Sequence, residues 1–374
     1  MHNDWWRTAV IYQIDPRSFM DSNGDGVGDL QGITTSLPYV ADLGVDAVWI
    51  SSFCQSPLRG VDHGVSDYCQ VDPVLGTLAD FDVLLDTAHA LGLKVIIDQV
   101  LSYTSDQHAW FQASRQSQKN FWASWYVWED AQPDGSPPNN WLSISGGSAW
   151  HWDSRRCQYY LHSSLANQPD LNFHDVQVQD ALLEQLRFWC DRGVDGFRFD
   201  ACNHYFHDPS LRSNLPAVRQ KLKSVRSDGP YAMQLHWYDK SQPENLAFLE
   251  RVRDVLDEYG VVGIGEVDDE DAPTLMADYT EGDKRLHMAC GFSLLTAEHT
   301  APYLRDQIRR LDRLLDLSGG WAFWALSSHD VPRVASCWAT APVQLWLTLL
   351  MVLRGTACLY QGDELGLPEA EALL

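Results

Sequence analysis

Short apolar runs rich in β-branched and aromatic residues alternate along this chain with helical stretches, and that rhythm constrains the fold more than any other feature. A parallel strand pair needs a crossover connection, so a β run, a helix and another β run make the unit of a parallel sheet. Eight such runs are read: Ala9 to Ile14, Ala47 to Ser51, Lys94 to Val100, Gly196 to Asp200, Val261 to Glu266, Cys290 to Leu295, Ala322 to Ser327 and Ala357 to Tyr360. Helical candidates lie between them at Ser36 to Leu43, Leu78 to Leu91, Val178 to Arg192, Glu244 to Tyr259, Tyr303 to Leu315 and Val343 to Leu353. Eight strands with intervening helices predict an α/β chain folded as a (β/α)8 TIM barrel.

The rhythm breaks once. From Leu101 to Phe173 the sequence is rich in Trp, Ser, Gly, Asn and Pro, and a stretch of about seventy residues is too long for a plain loop. It reads as an inserted subdomain after the third strand, with residues 1–100 and 174–374 making the barrel. An excursion at the carboxyl end of a strand lies on the catalytic face of such a barrel and walls its cleft.

Composition removes several function classes. With 51 Asp and Glu against 27 Lys and Arg the net charge is −24, which repels a phosphate backbone, so no nucleic-acid partner is expected. The eight cysteines contain no C-x-x-C pair, which argues against zinc or a dithiol motif and for free thiols in a reducing cytoplasm. Residues Met1 to Arg7 lack the basic and apolar regions of a secretory signal, and the longest apolar run, Val343 to Leu353, is too short to cross a bilayer. A cytoplasmic location without a membrane partner follows as an expectation. Sixteen Trp, 14 Tyr and 13 Phe are read mainly as core packing, with a minority free to stack on sugar faces.

Several β runs end in polar residues where such barrels keep their chemistry: Asp98, Arg198 with Asp200, Glu266, and His329 with Asp330. In Gly196-Phe-Arg-Phe-Asp200, strand alternation sends Arg198 and Asp200 to one face and the two Phe to the other. A guanidinium beside a carboxylate keeps it ionised and oriented, as a nucleophile for an anomeric carbon requires. Glu266 closes the next strand, and neighbouring strand ends bring two carboxyls to about 5 Å, the retaining-glycosidase separation. Such closeness raises one pKa and leaves Glu266 able to protonate a leaving oxygen. His329 and Asp330 offer a donor and a carboxylate to the sugar hydroxyls.

The runs GFRFDA (196–201), GEV (265–267) and SSHDVPR (327–333), in this order, resemble the motifs of the α-amylase superfamily of glycoside hydrolases. The likeness extends from Trp5 to about Leu367. Trp6 to Ile14, Asp170-Leu171-Asn172 after Gln168-Pro169, His207-Asp208, and Leu359 to Gly366 resemble its α-glucosidase and oligo-1,6-glucosidase branch. The resemblance implies Asp200 as nucleophile, Glu266 as acid/base and Asp330 as transition-state stabiliser, assisted by Arg198 and His329. It also implies substrate-binding positions at Asp98, Tyr103, Asp62, His63 and Arg333. Asp21, Asn23, Asp25, Val27 and Asp29 place oxygens at alternate positions with Gly between several of them, which suits a hard cation. In the branch the equivalent loop binds calcium, so a structural Ca2+ and no organic cofactor are expected; a metal-free turn held by Asx hydrogen bonds is the alternative.

Departures from the family pattern are concentrated in one subsite. The histidine that closes the third-strand motif is replaced by Tyr103, and the Asp-Phe-Gly-Tyr-Asp run of the branch is Gly60-Val61-Asp62-His63-Gly64 here. Losing a preorganised donor costs roughly 10² to 10³ in rate, so weak activity on ordinary α-glucosides is expected. The chain also stops before a helix that would follow the eighth strand and before the family's C-terminal β-sandwich. A missing helix exposes an apolar flank, which truncation or a partner, a second copy included, would explain. The expected activity is retaining hydrolysis of short α-glucosides or small oligosaccharides; a transglycosylase and a catalytically impaired sugar-binding homologue are the alternatives.

Overall fold

Successive residues of a strand face opposite ways, and the eight parallel strands of this chain use that parity to build two cores. The computed structural model describes residues 4–57, 64–217, 229–296 and 298–370. Strands β1 (Val10–Ile14), β2 (Ala47–Ile50), β3 (Lys94–Gln99), β4 (Gly196–Phe199), β5 (Val262–Val267), β6 (Met288–Gly291), β7 (Phe323–Ala325) and β8 (Thr356–Tyr360) lie in the order β6-β5-β4-β3-β2-β1-β8-β7. A parallel bridge from Ala289 to Ala322 joins the two ends. The fold is the (β/α)8 barrel expected from the alternating pattern.

Ile11, Trp49, Ile96, Ile264, Met288 and Phe323 point inward and fill the barrel. Their neighbours Tyr12, Val48, Val95, Phe197 and Phe199 point outward into a larger core shared with the helices. Helices Leu30–Asp42, Leu78–Ala90, Val176–Arg192, Asn245–Tyr259, Ala272–Tyr279, Ala301–Ser318 and Val343–Val352 follow β1 to β7 in turn. Close contact between layers explains the small residues of β5: a Cβ on Gly265 would stand 2.6 Å from a Leu286 methyl and 2.9 Å from Cys202 Sγ.

Three differences from the sequence reading stand out. The first helix begins at Leu30 and not Ser36, because Asp29 caps it, accepting from the Gly32 amide at 2.6 Å. The sixth strand is Met288–Gly291 and not Cys290 to Leu295. Parallel register with β5 pairs Ile264 with Met288 and Glu266 with Cys290, and the chain then enters a tight turn over Phe292–Leu294. The two-turn helix Ala272–Tyr279 was not predicted; it is too short to show a clear 3.6-residue period.

Between β3 and helix Val176–Arg192 lie the helix Ala109–Ser114 and a three-stranded antiparallel sheet in which Gln158–Leu161 pairs with both Trp128–Glu129 and Trp150–Asp153. Phe111 stacks on Trp128 with centroids 5.5 Å apart and meets Tyr126 and Tyr160 edge-on. Trp141 is fully buried and donates its indole N–H to the Arg212 carbonyl at 2.9 Å. Much of the aromatic excess is therefore packing. Leu317, Leu345, Met351 and Val352 are exposed, all on the flank built by helices Ala301–Ser318 and Val343–Val352. Among the described residues no β-sandwich follows β8, and no helix is long and apolar enough to cross a membrane.

Candidate active site

The inward-facing positions of the strands change character towards their carboxyl ends. Apolar residues fill the lower barrel, whereas Gln13, Asp98, Arg198 and Glu266 occupy the inward positions near the top, all buried. Arg198 is the hub. Its Nη1 donates to Asp200 Oδ1 at 2.7 Å and to Asp98 Oδ1 at 3.3 Å, and its Nη2 pairs with Glu266 Oε2. One guanidinium is too small to bridge carboxylates that stand far apart, so Asp200 and Glu266 are near neighbours.

The surroundings tune these charges. Burial opposes the charge on Arg198, but Asp98, Asp200 and Asp330 outweigh it and push its pKa up. Burial pushes Asp98 up, against the opposing effects of Arg198 and His329. Trp49 supports both residues from below: its Nε1 donates to Asp98 Oδ1 at 3.1 Å, and its ring lies 5.2 Å from the Arg198 guanidinium carbon. The Gln13 amide donates to Ser51 Oγ at 3.1 Å and to His329 Nδ1 at 2.6 Å, which leaves Nε2 as the donor of that ring. That Nε2 stands 3.6 Å from Asp330 Oδ2.

Immediately after Asp200 the chain turns through Ala201 at φ 41° and ψ 46°. A non-glycine residue in this left-handed region costs about 1–3 kcal/mol and persists only where the surrounding structure enforces it. Here it ends β4 abruptly and leaves Asp200, about one-fifth exposed, at the floor of a cavity of about 200 Å³. Asp98, Glu266, His329 and Asp330 line the barrel side, with Tyr103 from the start of the 101–173 segment; Ile144, Ser145, Ser164, Leu165 and Gln168, further along that segment, line the other. That wall is tied down by Asp170, whose carboxylate accepts from the Ser163 amide and hydroxyl. Burial pushes Asp170 up to about 7, against those bonds.

The fold therefore brings six of the predicted site residues, Asp200, Glu266, Asp330, His329, Asp98 and Tyr103, to the lining of one cavity, with Arg198 buried against three of their carboxylates. Arg333 stands apart from it: its guanidinium stacks on Tyr360 at 4.6 Å and donates to the Gln361 carbonyl at 2.5 Å, which commits the side chain to bracing the loop after β8. Asp62 and His63 lie outside the described residues. Sequence reading missed Gln13 and Trp49, although a lone Gln inside an apolar strand was a usable signal. It also missed Ile144, Ser145, Ser164 and Leu165, which carry no motif and reach the cavity only through the fold of the insertion, and it read Gln168 as part of a family run without assigning it to the site.

The loop of candidate cation ligands is well ordered by its own side chains. Asp21 accepts from the amides of Gly24, Gly26 and Asn23, and these bonds hold its carboxyl below the usual carboxylate range. Asn23 accepts from Asp25, Asp25 from Val27, and Asp29 from Gly32 and Ser22. Among the described residues, no group of three or more His, Cys, Asp or Glu converges as a metal site; the oxygens here come from only three carboxylates, an amide and a backbone carbonyl.

The chain resembles known proteins over nearly all of its length. The alpha amylase catalytic-domain family matches residues 13–373. A probable α-glucosidase of Rhizobium meliloti is 54% identical over 378 residues, covering 98% of this chain and 68% of that protein. The crystal structure of an α-glucosyl transfer enzyme, XgtA, superposes with a TM-score of 0.95 at 55% identity, covering 98% of this chain and 70% of that one. The trehalulose synthase MutB from Pseudomonas mesoacidophila MX-45 gives a TM-score of 0.87 at 34% identity, over 97% of this chain and 66% of that one. The chain thus spans about two-thirds of the length of these relatives. A catalytic-domain match across almost the entire chain, on a barrel that carries its carboxylates at the strand ends, makes this protein an enzyme of the α-amylase family.

Proposed function

We propose that the protein is a retaining α-glucosyl transferase, which takes glucose from a short α-glucoside and hands it to an acceptor hydroxyl, water included. The observation that carries this reading is the pairing of Asp200 and Glu266 on one buried guanidinium at the floor of a walled cavity. In the first step an Asp200 oxygen bonds to the anomeric carbon while the glycosidic bond breaks and Glu266 gives its proton to the leaving oxygen. In the second, Glu266 takes the proton of the incoming hydroxyl as that oxygen displaces Asp200, and the configuration is retained. Arg198 holds and orients Asp200 through the Nη1 bond to its Oδ1, while His329 and Asp330 meet the sugar hydroxyls as positive charge builds on the ring.

Transfer is placed ahead of hydrolysis because the similar structure at 55% identity is that of an α-glucosyl transfer enzyme. Hydrolysis of α-glucosides is the second reading, favoured by the probable α-glucosidase at 54% identity. Turnover of p-nitrophenyl α-glucoside, maltose, isomaltose and sucrose, with and without an added alcohol, separates the two. Glucosylated alcohol in excess of free glucose is expected; free glucose alone would favour the hydrolase, and no turnover of any sugar would end both readings.

The same reading assigns a structural calcium ion to the loop of Asp21, Asn23, Asp25, the Val27 carbonyl and Asp29, an all-oxygen donor set wrapped by Gly24 and Gly26 at positive φ. Calcium is expected to raise the Tm of the parent chain, by a few degrees at about 100 times the Kd. Asp21→Ala should lower the Tm even without metal, since it removes three amide partners, and should abolish the calcium-dependent rise. A rise that survives in Asp21→Ala places the ion elsewhere.

A further inference from the structure

Two short segments follow the reacting carboxylates, Ala201-Cys202-Asn203 after Asp200 and Val267-Asp268 after Glu266, and they are stitched together beneath the cavity. The Asn203 side chain is fully buried and is not among the residues lining the cavity. Its Oδ1 accepts from the Asp268 amide at 3.2 Å and its Nδ2 donates to the Asp268 carbonyl at 2.9 Å. This reciprocal pair fixes the amide orientation, because a flipped Asn203 would set N–H against N–H and oxygen against oxygen.

A third segment joins the knot. Ser241 adopts φ 57°, in the left-handed region, and donates its backbone N–H to the Asn203 carbonyl at 2.6 Å. Its Oγ accepts from Asn203 Nδ2 at 3.0 Å and donates to Asp269 Oδ2 at 2.6 Å. The buried Lys240 ammonium donates to the same Asp268 carbonyl at 2.8 Å. One residue earlier, the Cys202 thiol donates to the Glu266 carbonyl at 3.1 Å. Five hydrogen bonds and one strained residue thus converge on two residues, Asn203 and Asp268, that take no part in the chemistry.

We propose that Asn203 is a positioning residue whose reciprocal bonds to Asp268, backed by Cys202 and Lys240, set the separation of the Asp200 and Glu266 carboxyls. This rests on the glucosyl-transfer reading for its kinetic consequence and on geometry alone for its structural one. Only an amide at 203 meets both the N–H and the carbonyl of Asp268; a carboxylate at 203 would face the Asp268 carbonyl oxygen, and a methyl would remove the Asn203 bonds to both, leaving the carbonyl to Lys240, in a buried place. A displacement of about 1 Å at the reacting groups costs roughly 10² in rate.

The test compares Asn203→Ala and Cys202→Ala with the parent chain, each confirmed folded by circular dichroism and thermal melting. On p-nitrophenyl α-glucoside, Asn203→Ala is expected to lower kcat about 100-fold with KM within about threefold, and to move the basic limb of the kcat/KM pH profile towards lower pH by half a unit or more, because more distant carboxyls repel each other less. Cys202→Ala should move the same limb in the same direction by less, and it carries the test if Asn203→Ala does not fold. A folded variant with the parent kcat and an unmoved limb overturns the proposal. If the parent chain turns over no glucoside, the transfer reading fails by itself. The positioning role is then read from the carbon-13 titration of the Glu266 carboxyl, assigned with Glu266→Gln: a shift in the variants supports it, and an unchanged titration sinks it.

Discussion

Asp200→Asn is expected to lower kcat on p-nitrophenyl α-glucoside by at least ~10⁴-fold, because the amide oxygen is uncharged and a far weaker nucleophile towards an anomeric carbon than a carboxylate. Glu266→Gln should be comparably damaging on a substrate with a poor leaving group such as maltose, where the proton is needed most. It should be much less so on the activated aryl glucoside, whose phenolate leaves with little help. The contrast is the informative part: a variant in which both substrates suffer equally would deny Glu266 the acid role. Added azide should restore product formation in Glu266→Gln, since a small anion attacks the glucosyl intermediate without base assistance. Mass spectrometry of the intact chain during turnover would then show whether that intermediate accumulates on Asp200.

Arg198→Met should be destabilising as well as inactivating. The guanidinium is 2% exposed and pairs with Asp98, Asp200 and Glu266, and removing one partner of a buried ionic cluster costs about 3–5 kcal/mol because the remaining charges are left uncompensated. For a chain of this size that corresponds to a fall in Tm of roughly 5 °C. The pH dependence has a definite sign. Burial already raises the Asp98 pKa, and Arg198 is the strongest influence opposing that rise, so its loss raises Asp98 further. A carboxyl with a raised folded pKa contributes stability below its unfolded value of about 3.9 that is lost as pH climbs through the folded value. The Tm difference between Arg198→Met and the parent should therefore be larger at pH 8 than at pH 5. A difference independent of pH would mean that packing, and not charge, governs the loss.

The barrel was legible because its two periodicities are local. An inward and an outward row of apolar residues gives each strand a compact β-rich run, and the helices between them carry their own 3.6-residue pattern. Boundaries were less legible. The first helix begins at Leu30 because Asp29 caps it, yet that aspartate was equally readable as a cation ligand from its spacing. The sixth strand is displaced by two residues at its start and four at its end because Cys290 to Leu295 is as apolar as the true strand; only the register with Glu266 on β5 chooses between them.

At the candidate active site, the sequence by itself determined which charged groups stand together at the strand ends. Alternation in GFRFD put Arg198 and Asp200 on one face, and GEV and HD supplied the remaining carboxylates at strand ends, all from spacing within a few residues. What only the tertiary structure decided is the distance-dependent part. One guanidinium holds Asp98, Asp200 and Glu266 at once, Trp49 and Gln13 brace the charged groups from beneath, and the 101–173 segment closes the cavity with residues that share no motif. Arg333, which reads as a site residue in SSHDVPR, is drawn instead onto Tyr360. Local patterning fixes which way a side chain leaves its own strand, but contacts between residues 49 to 316 positions apart depend on barrel closure, register and the stagger of parallel strands, and these are set by packing across the whole sheet.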